Sequence, residues 1–599
     1  MPALRCRRTL VIAAAAALVT TVASGPATAA TPTPKSPVAV GFGGAVASID
    51  ADATAIGTQV LRDGGNAVDA AVAVAAALGV TDPFSAGVGG GGFFVYYDAR
   101  THRVHTLDGR ETAPKTADEN LFVENGKPLP FADAVTSGLS VGVPGTPATW
   151  SEALRKWGTR SLAKSLKPAE NLARNGFVVD STFQTQIANN AARFSAFPST
   201  RSLYLPDGAP PAPGTVFKNP DLAATYAQLE RQGVGALYRG PIGADIAKTV
   251  QRPPVDPAST LNVRPGQLTT GDLAAYDVIE RRPTQTSYHG LDVYGMPAPS
   301  SGGLTVAEAL NVLENFDLKH ASKADYLQYF LESTRFAFAD RNRWIGDPAF
   351  VDVPARELLS QRFADSRACL ISKDKAATSP VAPADPRHPA PCAAGTTAAP
   401  TPYEGENTTH LTVADKWGNV VAYTLTIEQE GGSGIVVPGR GFLLNNELTD
   451  FSFTPVTPGV PDPNLPGPGK RPRSSMAPTI VLDHGRPFFA TGSPGGASII
   501  TTVLQVILGR LDRGLSLEDA IAAPRASQRN SAAAQVEQAF LDQPETAELR
   551  ARGQGFSTAP AEIGAATGVE RLRDGRWLAA AEPVRRGTGA AQVVWPTRW

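Results

Sequence analysis

Three cysteines, three methionines and seven histidines are all that 599 residues offer of the softer metal ligands. The histidines (His102, His105, His289, His320, His388, His410, His484) are scattered, and none makes an H-E-x-x-H or comparable spacing. No metal and no cofactor are therefore expected. Charge of neither sign dominates: 55 Lys and Arg face 56 Asp and Glu, without a basic stripe, which argues against nucleic acid as a partner. Beyond the N-terminus no stretch reaches the roughly 18 apolar residues of a membrane-spanning helix, so no stable membrane anchor is expected. GVGGGG at Gly87 to Gly92 matches G-x-G-x-x-G by letter, but it precedes a strand and no helix follows it. That excludes a dinucleotide site and leaves close backbone approach or a tight turn as the use of these glycines.

The first 30 residues do carry a signal. Arg5, Arg7 and Arg8 precede an apolar run from Leu10 to Val22 and an Ala27-Thr28-Ala29 site. This pattern predicts a secretory signal peptide over 1–29 and a secreted or periplasmic mature chain, with export by the general or the twin-arginine route left open. Cys6 leaves with it. Cys369 and Cys392 remain, either bridged in an oxidising compartment or as two free thiols; the bridge is the expectation.

At this length the chain holds three or four ordinary domains or one composite fold. Residues 37 to 98 read as strand, one long Ala/Val-rich helix apolar on most of its circumference, and strand. Helical patterns dominate 145–250 and 303–345. From 371 to 406 periodicity is lost in a Pro/Ala-rich stretch whose composition predicts a flexible segment. Strands return abruptly with NTTHLTVADKWGNVVAYTLTI, Asn407 to Ile427. With Asp415 to Asn419 as the turn, a hairpin pairs Ala414 with Val420, Thr412 with Ala422, His410 with Thr424 and Thr408 with Thr426.

Facing threonine hydroxyls suggest chemistry only if one has a base. An N-terminal threonine carries its own, an α-amine of pKa about 7.7–8. Thr408 becomes N-terminal if the Asn407–Thr408 bond is cut, and flexible chain upstream would tolerate that cut. Taken alone, the tripeptide is equally a glycosylation sequon or an ordinary strand pair. In TGSPGGASII, Gly495 and Gly496 precede a long apolar helix, where their amides can face an acyl oxygen. LLNNELTDF and KRPRSSMAPT add Glu447, Asp450, Ser474 and Ser475, groups that either hold an amino acid's charged ends or line a solvated surface.

Together with GGNAVDAAVAVA, GVGGGGFF, LDGRETAP and PAPSSGG, these motifs run in family order from about residue 38 onward and resemble the gamma-glutamyltranspeptidases. The resemblance implies an α/β (α+β) four-layer αββα N-terminal nucleophile hydrolase sandwich. One precursor would cut itself between Asn407 and Thr408 into a large subunit, 30–407 with a flexible tail from 371, and a small one, 408–599, which pair as a heterodimer. It further implies Thr408 as nucleophile, Thr426 as its hydrogen-bond partner, and Gly495 and Gly496 as oxyanion donors. Arg110 with Ser474 and Ser475 would bind the glutamyl α-carboxylate, and Glu428, Glu447 and Asp450 its α-ammonium. The implied activity is cleavage of glutathione and related γ-glutamyl compounds, with transfer to water or to amino acid and peptide acceptors. Glu428 and Glu447 stand where some members have Asn and Gln, and 452–469 lacks the tyrosine of the lid some members carry. The alternatives are a cephalosporin or glutaryl acylase on the same fold, which needs no ammonium site, and a processed but non-catalytic binding protein.

Overall fold

The computed structural model describes residues 31–392, 395, 405, 407–560 and 562–597; the expected signal peptide lies outside them. The chain opens with β1 (Val38–Ser48), α1 (Ala51–Arg62), α2 (Ala67–Thr81), β2 (Gly91–Asp98) and β3 (Arg103–Gly109). The single helix expected between the first two strands is thus two. After Gly64-Gly65, Asn66 starts α2 afresh through a capping box with Asp69, and such a reciprocal cap fixes a helix start more strongly than apolar periodicity alone. α2 is buried along its whole length, as an all-round apolar helix must be.

A helical layer follows, with α3 (Thr146–Trp157), α4 (Leu162–Asn175) and α5 (Pro220–Gln232). Then come β4 (Ile279–Arg281), β5 (Thr284–Tyr288), β6 (Leu291–Gly295), α6 (Gly302–Leu313), α7 (Lys323–Trp344) and α8 (Gln361–Ala368). Past Thr408 lie β7 (Thr409–Asp415), β8 (Val420–Thr426), β9 (Thr479–Asp483), β10 (Arg486–Gly492), α9 (Ser498–Leu511), β11 (Thr567–Arg571), β12 (Trp577–Ala581) and β13 (Ala590–Pro596). The strands order as β4-β3-β2-β8-β7-β1-β12-β11-β10-β9-β6-β5, with β13 also pairing β1. β1 joins the halves: Gly44 to Ala47 pair with β7, and Val38 to Gly41 pair with β12. The β2-β8-β7 half faces the β11-β10-β9 half, with α1 to α5 outside one and α6, α7 and α9 outside the other, giving four layers.

The β7–β8 register is the one the turn residues predict, with Ala414 opposite Val420, Thr412 opposite Ala422 and His410 opposite Thr424. Strand alternation sorts these residues. Leu411, Val413, Val421, Tyr423 and Leu425 pack toward the α2 layer, whereas Ala414, Val420 and Ala422 join the core between the sheets. His410, Thr412 and Thr424 share that second face, and His410 bonds both threonines, 2.8 Å to Thr424 and 3.1 Å to Thr412.

Residues 371–392 form neither helix nor strand, yet they are held more firmly than composition predicts. Val381 N–H donates to Asn530 Oδ1 and Ala384 N–H to Asp340 Oδ1, each at 2.7 Å. Ala377 N–H donates to Glu332, and a disulfide joins Cys369 to Cys392 with Cα atoms 5.3 Å apart. Acceptors on neighbouring elements supply the bonds that the local sequence does not advertise.

Candidate active site

Thr408 stands at the head of β7, buried, with its hydroxyl 3.4 Å from that of Thr426 at the end of β8. In the intact chain both hydroxyls converge on one oxygen: Thr408 Oγ1 donates to the Asn407 carbonyl at 2.5 Å and Thr426 Oγ1 donates to it at 3.1 Å. Thr426 Oγ1 in turn accepts from Glu428 N–H at 2.8 Å, which fixes its proton toward that carbonyl. Both hydroxyls thus face the peptide bond between Asn407 and Thr408.

The GVGGGG run serves this placement. A Cβ at Gly90 would lie 2.1 Å from Thr426 O and one at Gly92 2.4 Å from Thr424 O, so only glycine lets β2 lie against β8 there. Gly495 and Gly496, at φ +130° and +55°, form the turn into α9. Gly496 lines the small cavity around Thr408, and Gly495 lines an adjoining cleft of about 950 Å³ that Asn407 also borders.

The charged residues close on one another. Buried Arg110 donates Nη1 to Glu447, Nη2 to Asp450 at 2.5 Å and to Arg473 O at 2.9 Å, and Nε to Pro472 O at 3.1 Å. Arg110, which the motifs assign to a carboxylate, and Glu447 and Asp450, which they assign to an ammonium, thus form an internal salt-bridge cluster. Glu428 accepts from Asn446 Nδ2, and burial beside Asp450 holds its carboxyl well above the usual range. Among the described residues Glu447 Oε2 accepts no hydrogen bond although the residue is buried, and the Glu428 carboxylate on its other side meets only the backbone of Gly405. Ser475 Oγ accepts from Arg341 at 2.7 Å, and Ser474 lines the same cavity, its carbonyl accepting from Ser301 Oγ at 2.7 Å.

Gly405 lies against the Glu428 carboxylate and helps reduce the cavity to about 20 Å³, room for roughly one water. Sequence reasoning missed Asn446, Arg341 and Arg586, whose Nη1 donates to Thr408 O at 2.8 Å. The Asn-Asn pair beside Glu447 was a visible cue for the first; nothing local marked the two arginines. Among the described residues no group of three or more His, Cys, Asp or Glu side chains is placed to hold a metal, and no helix is long and apolar enough to cross a membrane.

A hydroxyl nucleophile candidate at the head of a central strand in an αββα sandwich is the arrangement of the N-terminal nucleophile hydrolases. The Gamma-glutamyltranspeptidase family model matches residues 53–592, and the chain belongs to that family. It is 39% identical over 533 residues to the glutathione hydrolase proenzyme of Bacillus subtilis strain 168, covering 88% of this chain and 87% of the relative. It is 34% identical over 575 residues to the acylase ACY 1 proenzyme of Pseudomonas sp. strain V22, covering 93% and 96%. Among solved structures, the cephalosporin acylase from Bacillus halodurans superposes with a TM-score of 0.81 at 27% identity, covering 96% of this chain and all of that one.

Proposed function

We propose that this protein is a secreted, self-processing gamma-glutamyltransferase and glutathione hydrolase. The observation that carries the reading is the pair of buried carboxylates in the wall of the cavity that holds Thr408: Glu447, whose Oε2 has no donor among the described residues, and Glu428, whose Oε1 is met only by the backbone of Gly405. Buried acceptors without donors are costly, and a glutamyl α-ammonium brings three charged donors to satisfy them. The substrate's α-carboxylate then competes for Arg110, loosening its internal pairs, while Ser474 and Ser475 add hydroxyls. Removal of Gly405 and Asn407 from the cavity is what makes room for the donor.

In turnover, the free α-amine of Thr408 takes the hydroxyl proton as Oγ1 attacks the γ-carbonyl. Amides at Gly495 and Gly496 receive the developing oxyanion, and the proton passes to the leaving amine. Thr426 holds the nucleophile's hydroxyl. Water or an amino acid or peptide acceptor resolves the acyl-enzyme. The large and small subunits remain together as a heterodimer.

The likeness to acylases keeps a second reading, a cephalosporin or glutaryl acylase, which has no use for these buried acids. The test is N-terminal sequencing of purified protein together with turnover of a γ-glutamyl anilide, with and without glycylglycine, against a glutaryl anilide. The proposal expects a small subunit beginning Thr-Thr-His-Leu, turnover of the γ-glutamyl anilide alone, and an uncut, inactive Thr408→Ala. A single uncut chain in an active preparation, or preference for the glutaryl anilide, would refute it.

A further inference from the structure

The residue before the expected cut is gripped by a loop that does not line the cavity around Thr408. Asn407 is buried, and its side-chain amide is read at both ends by the turn that follows α2. Nδ2 donates to Phe84 O at 2.7 Å, and Oδ1 accepts from Ser85 Oγ at 3.2 Å. Ser85 is itself fixed: its N–H donates to Asp82 O at 3.1 Å, and its single hydroxyl proton is shared between Asn407 Oδ1 and Asp82 Oδ1, the latter 2.9 Å away. The short, strong bond to a backbone carbonyl sets which end of the amide carries nitrogen. On the other side of the peptide bond, Arg586 holds Thr408 O.

We propose that the loop Asp82 to Ala86 is a maturation-specific positioning device, which selects asparagine at position 407 and thereby sets the rate of self-cleavage. The inference rests on the self-processing reading above. In that step Thr408 Oγ1 attacks the Asn407 carbonyl carbon and the C–N bond breaks, with the hydroxyl proton ending on the Thr408 nitrogen. Water then hydrolyses the ester, giving a carboxylate on Asn407 and restoring the Thr408 hydroxyl. Until the cut, Thr408 has no free amine to serve as base, so the step depends on holding carbonyl and hydroxyls in register. An amide pinned at both ends, one residue from the attacked carbon, does that. Afterwards Asn407 departs with the tail, and the loop has nothing left to hold.

Asn407→Asp is the sharpest variant because it keeps the shape but turns an oxygen toward Phe84 O and adds charge near Asp82. The Phe84 carbonyl keeps its bond from Gly431 N–H but would then face an oxygen, and such a lost and opposed buried hydrogen bond corresponds to a rate loss of about 10-fold to 100-fold. Ser85→Ala removes the other contact without touching the tail. The experiment follows conversion of freshly purified precursor to two chains on denaturing gels, and separately measures anilide turnover per exposed Thr408 N-terminus. Both variants should be cut at least about 10-fold more slowly, while turnover per cut Ser85→Ala molecule matches wild type. Cutting of Asn407→Asp and Ser85→Ala at the wild-type rate would overturn the proposal. So would an equal loss of cutting and of turnover per cut end in Ser85→Ala, which would make the loop a general structural support. A wild-type chain that never exposes Thr408 would instead remove the self-processing reading on which the inference stands.

Discussion

Arg110→Ala separates what the motifs alone imply from what the geometry implies. As a substrate-binding arginine, Arg110 could be lost with damage to glutamyl binding and little to folding. In the structure it is fully buried and is the counter-charge for Glu447, which is as buried, and for Asp450, nearly so. Deleting one partner of a buried ion pair costs about 3–5 kcal/mol, because the remaining charge is left uncompensated. Here the buried Glu447 carboxylate loses its counter-charge, and two backbone carbonyls, Pro472 O and Arg473 O, lose their donor. A loss at the upper end of that range is expected. The comparison is cleanest in the Thr408→Ala background, where every molecule stays uncut, with denaturant midpoints read for the single and double variants. Adding Glu447→Gln should recover a large part of the loss by removing the stranded charge, without restoring activity when Thr408 is present. In the cut enzyme Arg110→Ala should also raise KM for glutathione roughly 10-fold to 150-fold, the worth of a hydrogen bond to a charged group. Equal midpoints for Thr408→Ala and its Arg110→Ala derivative would refute the closed cluster as the resting state, and an unchanged KM would take Arg110 out of the site.

Three further outcomes are expected. Glu428 has its carboxyl raised by burial and by Asp450, yet must be ionised to receive an ammonium. Donor binding should therefore release a proton, with KM rising as pH falls through that raised pKa, and Glu428→Gln should abolish this limb; a wild-type KM flat with pH would contradict it. His410 is held neutral by burial, its pKa lowered from 6.5 to about 3. The unfolded chain then binds the extra proton first, so stability present above pH 6.5 falls as pH drops toward 3, at about 1.4 kcal/mol per pH unit; His410→Gln should lose this slope, and parallel acid profiles would refute the assignment. The Cys369–Cys392 bridge closes a separation of 23 residues, so replacing both with Ser should leave cutting and turnover intact but lower stability by about 3 kcal/mol, read by denaturant midpoints. Unchanged midpoints would show that the bridge adds nothing.

What the sequence discloses here depends on how local the determining physics is. The hairpin register follows from five turn residues and strand alternation, and both lie within Asn407 to Ile427. The glycine run could be read as a site of close approach because no other residue type explains such a run before a strand. The break between α1 and α2 was also local, but the capping box at Asn66 and Asp69 was outweighed by apolar periodicity on both sides. Pairing across the fold is another matter. Arg110 meets Glu447 across 337 positions, and Arg586 meets Thr408 across 178. No spacing encodes such contacts. The anchoring of 371–392 fails to show for the same reason: its partners Glu332, Asp340 and Asn530 lie on other elements.

The position of Thr408 relative to the sheet bears on whether a cut chain would stay folded. β7 begins at Thr409, so breaking the bond before Thr408 removes no rung of any ladder. The β7–β8 hairpin lies between β1 and β2, both upstream of the cut, with β7 paired to β1 and β8 to β2 along seven residue pairs. β12 and β13 also pair β1, and β9 pairs β6. Upstream and downstream segments thus alternate through one continuous sheet, and both hydrophobic cores draw side chains from each. Separating the pieces would expose strand edges on both sides and open both cores, costs that scale with the area uncovered. What the cut does release is only the chain immediately upstream of Thr408, from its covalent tether at the cavity. The same interleaving would let Thr408 begin a chain while sitting in the interior: its strand is held by β1 and β2 from upstream of the proposed cut, and a new terminus there would have its amine free.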